Sequence, residues 1–372
     1  MAPDERSEDS SFLAHYGNCI AAYEGKGTLT FKDALKVKCR FRAGQLATGE
    51  VILLCDGMEL DPYSDTCGRL IDEQSELYVA SLHGKTCDGF QVRVDGGFSF
   101  FNYLTNPPTD LTEAWAAFGV RELSIQARSL KGMAQALYGL TNVDIFGTER
   151  IEGRPISRFL PLSLELNGAR TETIVKPVED RIRAIRELRA LRGMEITAKA
   201  TGHVSTNKDI ERLDKAMDTL CYLLSVARGT RVQWLFRHVD GSGGKRLSST
   251  HYGRAKKPYS PLCAIGPRMN SGEATKAFLE GAFAKWGHGC AMFEPAVNMY
   301  LDAKAEADSL EARSAKMALA MEGLKAAMLG QLSSAKEYVI PEKEFSALRK
   351  DVDKTLEDCL ESHGWRLATE KR

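Results

Sequence analysis

Nowhere in these 372 residues do two cysteines stand in a Cys-x-x-Cys spacing, although nine cysteines are present. An odd number without tight spacing fits reduced, buried thiols and speaks against a disulfide framework or a zinc site. No metal and no cofactor is expected. The amino terminus lacks the basic-then-apolar order of a signal peptide and carries Asp4, Glu5, Glu8 and Asp9 instead. Long apolar runs are missing too: the longest, near Leu220 to Ala227, is too short to span a bilayer. The expectation is a soluble, cytoplasmic protein with no membrane partner. Net charge is absent, with 50 basic residues against 50 acidic ones. A generally sticky basic protein is therefore excluded, and any positive field must be local.

Catalytic signatures are equally scarce. No Ser-His-Asp or Cys-His arrangement can be assembled from the spacing. The string Asp240-Gly-Ser-Gly-Gly-Lys245 fails as a P-loop, because Val239 stands where the first Gly belongs and Arg246 where Ser or Thr would bind magnesium. Arg246 and His251, or Arg231 and His238, could pair as phosphate stabiliser and acid–base. Such spacings arise by chance in an Arg-rich stretch, so a metal-independent RNase ranks below other readings.

What the chain does have is a basic island. Between Asp218 and Glu273 stand nine cations, Arg228, Arg231, Arg237, Lys245, Arg246, Arg254, Lys256, Lys257 and Arg268, against one acid, Asp240. Trp234, Phe236, His238, His251, Tyr252 and Tyr259 are interleaved with them. Positive charge beside planar side chains suits phosphate neutralisation and base stacking. Arg231, Arg237, Lys245, Arg246, Arg254, Lys256 and Lys257 are the candidate phosphate contacts, with Tyr252 or His251 to stack. Trp234 and Phe236 are expected in the core. A second cationic face comes from Lys36, Lys38, Arg40 and Arg42, which alternate with Val37, Cys39 and Phe41 along one strand. A solvated outer sheet face is the simpler reading of that strand. From Glu50 to Glu76 the balance reverses, with eight acids and one base.

Periodicity divides the chain into a tail over residues 1–12, a β-rich domain over 13–204 and a helical domain over 205–372. The fold class is α+β: an antiparallel β-rich domain, then a bundle-like helical domain with the basic hairpin 228–257 inserted. Turn signals at Asp56-Gly57, Asp88-Gly89 and Asp95-Gly96-Gly97 separate short strands, as in a sandwich or barrel. A charged helix is expected from Val178 to Arg192 with Ile182, Ile185 and Leu188 inward. Thr206 caps a helix whose stripe is Ile210, Leu213, Met217, Leu220, Leu223 and Leu224. One long helix is expected from Glu294 to about Leu329, because Tyr300, Ala303, Ala307, Leu310, Ser314, Met317, Met321, Leu324 and Met328 follow a heptad. A last helix would carry Phe345, Leu348, Val352, Leu356 and Leu360.

Four strings carry a resemblance. They are Leu82-His-Gly-Lys-Thr-Cys-Asp-Gly-Phe90, Leu224-Ser-Val-Ala-Arg-Gly-Thr-Arg-Val-Gln-Trp234, Lys257-Pro-Tyr-Ser-Pro-Leu262 and Tyr300-Leu-Asp-Ala-Lys-Ala-Glu306. Together they resemble, over residues 75 to 330, prokaryotic proteins in which a β-rich region precedes a helical HEPN-type domain, similar to the ApeA group of anti-phage proteins. That resemblance implies an RNase motif, Arg-Asn-x-x-x-His, which this chain lacks. It implies a defence or regulatory setting and does not carry catalysis over. The leading expectation is a non-catalytic nucleic-acid-binding module, RNA or single strand preferred. The alternative is a protein-interaction or oligomerisation subunit acting through the 294–329 helix.

Overall fold

The computed structural model describes residues 19–31, 36–57, 79–95, 100–101, 116–144, 150–151, 154–155, 159–166, 169–180, 182–186, 194–254, 272–286, 293–304 and 310–332, with isolated helical positions between 346 and 358. The fold is α+β and its organising element is one antiparallel ladder of 14 strands. In chain order these strands begin with β1 (Cys19–Phe31), β2 (Lys36–Leu46), β3 (Val51–Asp56), β4 (Val79–Thr86) and β5 (Gln91–Asp95). Next come β6 (Phe100–Phe101), β7 (Ala116–Val120), β8 (Glu122–Gln126) and β9 (Ala134–Thr141). A separate two-stranded pair, β10 (Arg150–Ile151) and β11 (Arg154–Pro155), precedes β12 (Leu160–Leu166), β13 (Ala169–Pro177) and β14 (Ile196–Val204). The last strands are β15 (Trp234–Asp240) and β16 (Arg246–Tyr252).

The first half of the ladder closes on itself. Starting from β8, the neighbours run β5, β4, β1, β2, β3 and β7. Only Arg121 separates β7 from β8, so the ladder ends where it began and the strands form a six-staved barrel. Alternation explains the inside: Val37, Cys39 and Phe41 of β2 are buried while Lys36, Lys38 and Arg40 are exposed. The same holds for Val92 and Val94 of β5 against Gln91 and Arg93. Leu29, Leu53, Leu82, Phe118 and Leu123 complete the apolar filling. Each such side chain contributes about 1.5–3 kcal/mol by leaving water. Arg121 is an inserted residue: Phe118 and Val120 point inward before it, Leu123 and Ile125 after it. The lost alternation is the mark of a bulge, which bends a strand and lets it turn a barrel corner.

The second half is a sheet backed by helices, in the order β12-β13-β14-β9-β15-β16 and then β8. Helix α1 (Asn207–Arg228) starts at Thr206, whose hydroxyl accepts from the Asp209 amide while the Asp209 carboxylate accepts from the Thr206 amide. It stops at Gly229, whose φ of 63° is left-handed and suits glycine. As the stripe predicts, Leu213, Met217, Leu220 and Leu224 are buried, against Tyr138, Ala200 and Trp234 of the sheet. Helix α2 (Gly272–Trp286) adds Leu279 and Phe283 to the same core.

Several expectations are corrected. The basic hairpin is not an insertion among helices: β15 and β16 lie in the interior of the sheet, between β9 and β8. The boundary placed at 204/205 thus falls within one continuous ladder. Ile182, expected inward, is 72% exposed, whereas Ile185 is buried. The single long helix is two, α3 (Glu294–Lys304) and α4 (Leu310–Leu332). They pack on each other, with Gly323 of α4 close against Ala296 of α3. The reason lies in side-chain size. Among the described residues of α4, Ala320 and Ala327 are the buried ones, while the larger Met321, Leu324 and Met328 of the heptad face outward. Residues 1–12 lie outside the described residues.

Candidate anion-binding face of the barrel

The island dissolves once its neighbours are known. The guanidinium of Arg237 is ion-paired with Asp214 of α1 and also donates to Thr250 Oγ1 at 2.8 Å. Arg231 donates to Asp302 Oδ1 at 3.0 Å and to Asn298, both on α3. Arg246 pairs with Asp240 across the turn and donates to Ser249 Oγ. Arg254 lies over the rings of Tyr252 and Trp234, at 5.3 and 5.8 Å, with Asp218 3.7 Å away. Lys245, on the turn, is exposed. Lys256, Lys257, Tyr259 and Arg268 lie outside the described residues. Four of the expected phosphate contacts are therefore held by carboxylates of this chain. Three of those carboxylates come from helices outside the one-acid window.

The stacking candidates are committed as well. His251 has no exposed surface. Its Nδ1 lies 2.9 Å from Gln45 Oε1 and its Nε2 3.0 Å from Tyr23 Oη. Burial lowers its pKa to about 4, with the Arg246 charge adding to the shift. Neither nitrogen is open to a substrate, which removes the geometry for stacking or for acid–base work with Arg246. Tyr252 is half-buried, its ring edge-on to Trp234 at 4.6 Å. Trp234 and Phe236 are both in the core, as expected, but on opposite sheet faces, because the register shifts between them.

The second cationic face gains what the first loses. Lys36, Lys38, Arg40 and Arg42 alternate outward on β2, with Arg40 and Arg42 both reaching Asp56, at 2.7 and 3.4 Å. The ladder sets further cations beside them. Lys26 of β1 stands directly opposite Arg40 on one side and Lys85 of β4 on the other. In the next row Thr28 is opposite Lys38 and His83, and His83 is opposite Arg93 of β5. Like charges set directly opposite each other on a sheet are destabilising. Among the described residues no carboxylate pairs with Lys26 or Lys85.

This row borders a cleft of about 870 Å³, lined among others by Lys26, Lys38, Arg40, His83 and Lys85. Gly25, Gly27 and Gly84 also line it, where β1 and β4 come too close for side chains. A Cβ on Gly25 would stand 2.0 Å from the Lys85 carbonyl oxygen, and one on Gly84 2.5 Å from that of Lys26. Lys26, Lys85, His83 and Arg93 escape one-dimensional inspection, since Lys26 and Arg93 are each the one basic residue of their strand and β4 carries just His83 and Lys85. Only the register assembles them. Among the described residues no helix is long and apolar enough to cross a membrane. No family model, no curated protein and no solved structure matches this chain.

Proposed function

We propose that this protein binds nucleic acid without cleaving it, RNA or a single strand ahead of duplex, on the outer face of the barrel. The observation that carries the reading is the row Lys85, Lys26 and Arg40, three cations on adjacent strands with a carboxylate at one end only. A ladder that accepts this repulsion gains when phosphates neutralise it, and releasing their counterions drives binding. The basic hairpin contributes by stiffening the sheet beside the barrel, with Lys245 as its outward charge. A prokaryotic defence or regulatory setting rests on the sequence resemblance alone. The test is titration of labelled single-stranded RNA, single-stranded DNA and duplex at two salt concentrations, with intact probe recovered afterwards. Salt-sensitive binding is expected, weakened in a Lys26→Gln/Arg40→Gln variant. Equal affinity of that variant and the parent overturns the assignment.

A second reading has its own observation. Helix α4 turns Met321, Leu324 and Met328 outward on one face, at 62, 37 and 46% exposure. A contiguous apolar face of this kind marks a protein contact. In this reading a second copy or a protein partner covers α4, and the mass in solution reports it.

A further inference from the structure

The cationic face offers a strand of phosphates two routes. One follows β2, along Lys36, Lys38, Arg40 and Arg42, whose cations recur at intervals of about 6.6 Å. The other crosses the strands, from Lys85 through Lys26 to Arg40, in steps of about 4.8 Å. The cleft decides between them. It is lined by residues of β4, β1 and β2 and by Gly57 just beyond β3, whereas Lys36 and Arg42 are not among its lining. The cations that line it, Lys26, Lys38, Arg40 and Lys85, therefore come from three neighbouring strands and not from β2 alone. Arg40 belongs to both routes, and its pair with Asp56 is exposed enough to be exchanged for a phosphate.

We infer that a single nucleic-acid strand lies perpendicular to the barrel strands, its consecutive phosphates held by Lys85, Lys26 and Arg40, with Lys38 and His83 flanking. This rests on the nucleic-acid reading above and adds direction and mode of recognition. Recognition stops at the phosphates. Among the described lining residues His83 is the one ring, so they offer no row of aromatic platforms on which successive bases could stack. The glycines fit the same picture. Gly25, Gly27 and Gly84 keep β1 and β4 in close approach, which holds Lys26 and Lys85 opposite each other.

Two variants of equal charge change separate the routes. Lys26→Gln/Lys85→Gln removes two contacts from the crossing route, and Lys36→Gln/Arg42→Gln removes two from the route along β2. Affinity for labelled oligouridylate is measured against salt for both and for the parent, with thermal melting to show that each variant is folded. Each lost phosphate contact on a single strand takes about 0.7 from the log–log salt slope. The first variant is expected to flatten the slope by about 1.4 and the second to leave it unchanged. The reverse pattern overturns the crossing route while leaving nucleic-acid binding intact. Binding by the parent that neither variant alters places the contact elsewhere and overturns the inference. Absence of parent binding at low salt removes the underlying reading itself. Oligoadenylate, oligocytidylate and inorganic polyphosphate serve as competitors. Near-equal competition by the homopolymers supports phosphate-only recognition, and strong base preference overturns it. Polyphosphate that competes better than any oligonucleotide identifies the ligand as a phosphate polymer and overturns the nucleic-acid assignment.

Discussion

Gln45 fixes the tautomer of His251 across the seam between the barrel and the helix-backed sheet. The Gln45 amide nitrogen donates to the carbonyl oxygens of Leu235 and Tyr252, at 2.9 and 3.0 Å. Its Oε1 therefore faces His251, and Nδ1 must carry the proton it accepts. Nε2 is then an acceptor, and the Tyr23 hydroxyl donates to it. Five residues from β1, β2, β15 and β16 thus form one chain of donors and acceptors, with the His251 ring fully buried at its centre.

Replacing Gln45 by Leu strands two buried carbonyls and the His251 N–H. An unsatisfied buried polar group costs about 1–3 kcal/mol, so the variant is expected to lose at least 2 kcal/mol in urea unfolding. Wild-type stability of Gln45→Leu would show that water replaces the amide.

Acid should weaken the fold before its carboxylates protonate. The unfolded chain protonates His251 near pH 6.5, whereas the folded chain does so only at about 4. Between those values the unfolded state binds more protons, so stability is full above pH 6.5 and falls as pH drops toward 4. His238, whose pKa burial lowers to about 2, extends the loss to lower pH. The His251 part is of order 3 kcal/mol. Urea midpoints across this range measure it, and a His251→Gln variant should show a shallower decline.

Arg237 and Lys245 were alike in the sequence and should now part company. Arg237→Met leaves the half-buried Asp214 beside Tyr138 without its cation; breaking a fully buried pair costs about 3–5 kcal/mol, and a loss near the lower end is expected. Lys245→Gln should change stability by less than about 0.5 kcal/mol, as for other surface changes. Thermal melts of both variants, with nucleic-acid affinity recorded alongside, distinguish structural from ligand-contacting charge.

Gly25→Ala places a methyl group within 2.0 Å of the Lys85 carbonyl oxygen, a backbone atom that cannot swing away. Strands β1 and β4 must then separate, and a drop in melting temperature together with weaker nucleic-acid binding is expected. Gly132→Ala, with nothing within 4 Å of its Cβ position, is the comparison. Its cost is confined to its own positive φ of 79°.

Much of the local architecture was legible. The alternation of Val37, Cys39 and Phe41, the Asp88-Gly89 turn and the Thr206 cap each depend on neighbours in sequence, and each stands as read. Charge was misread because neutralisation is a long-range property. Asp302 answers Arg231 from 71 positions away and Asp214 answers Arg237 from 23, neither of them inside the one-acid window. The heptad from Tyr300 to Met328 misled for a related reason. Periodicity places residues on one helical face but does not say which face packs, and in α4 the small Ala face won. The row Lys85, Lys26 and Arg40 could not be seen at all before β1 was paired on both edges.

The place of β15 and β16 has a consequence for synthesis. Strands β8 and β9 follow one another in sequence, separated by only seven residues, yet in the finished ladder this later hairpin stands between them. A chain emerging from the ribosome can close its barrel once Gln126 is out. It must then hold two bare strand edges apart until Tyr252 arrives. During that interval each edge is a template for any extended segment nearby. A pause in translation between β9 and β15 would lengthen the exposure, and a holding chaperone would find its target there.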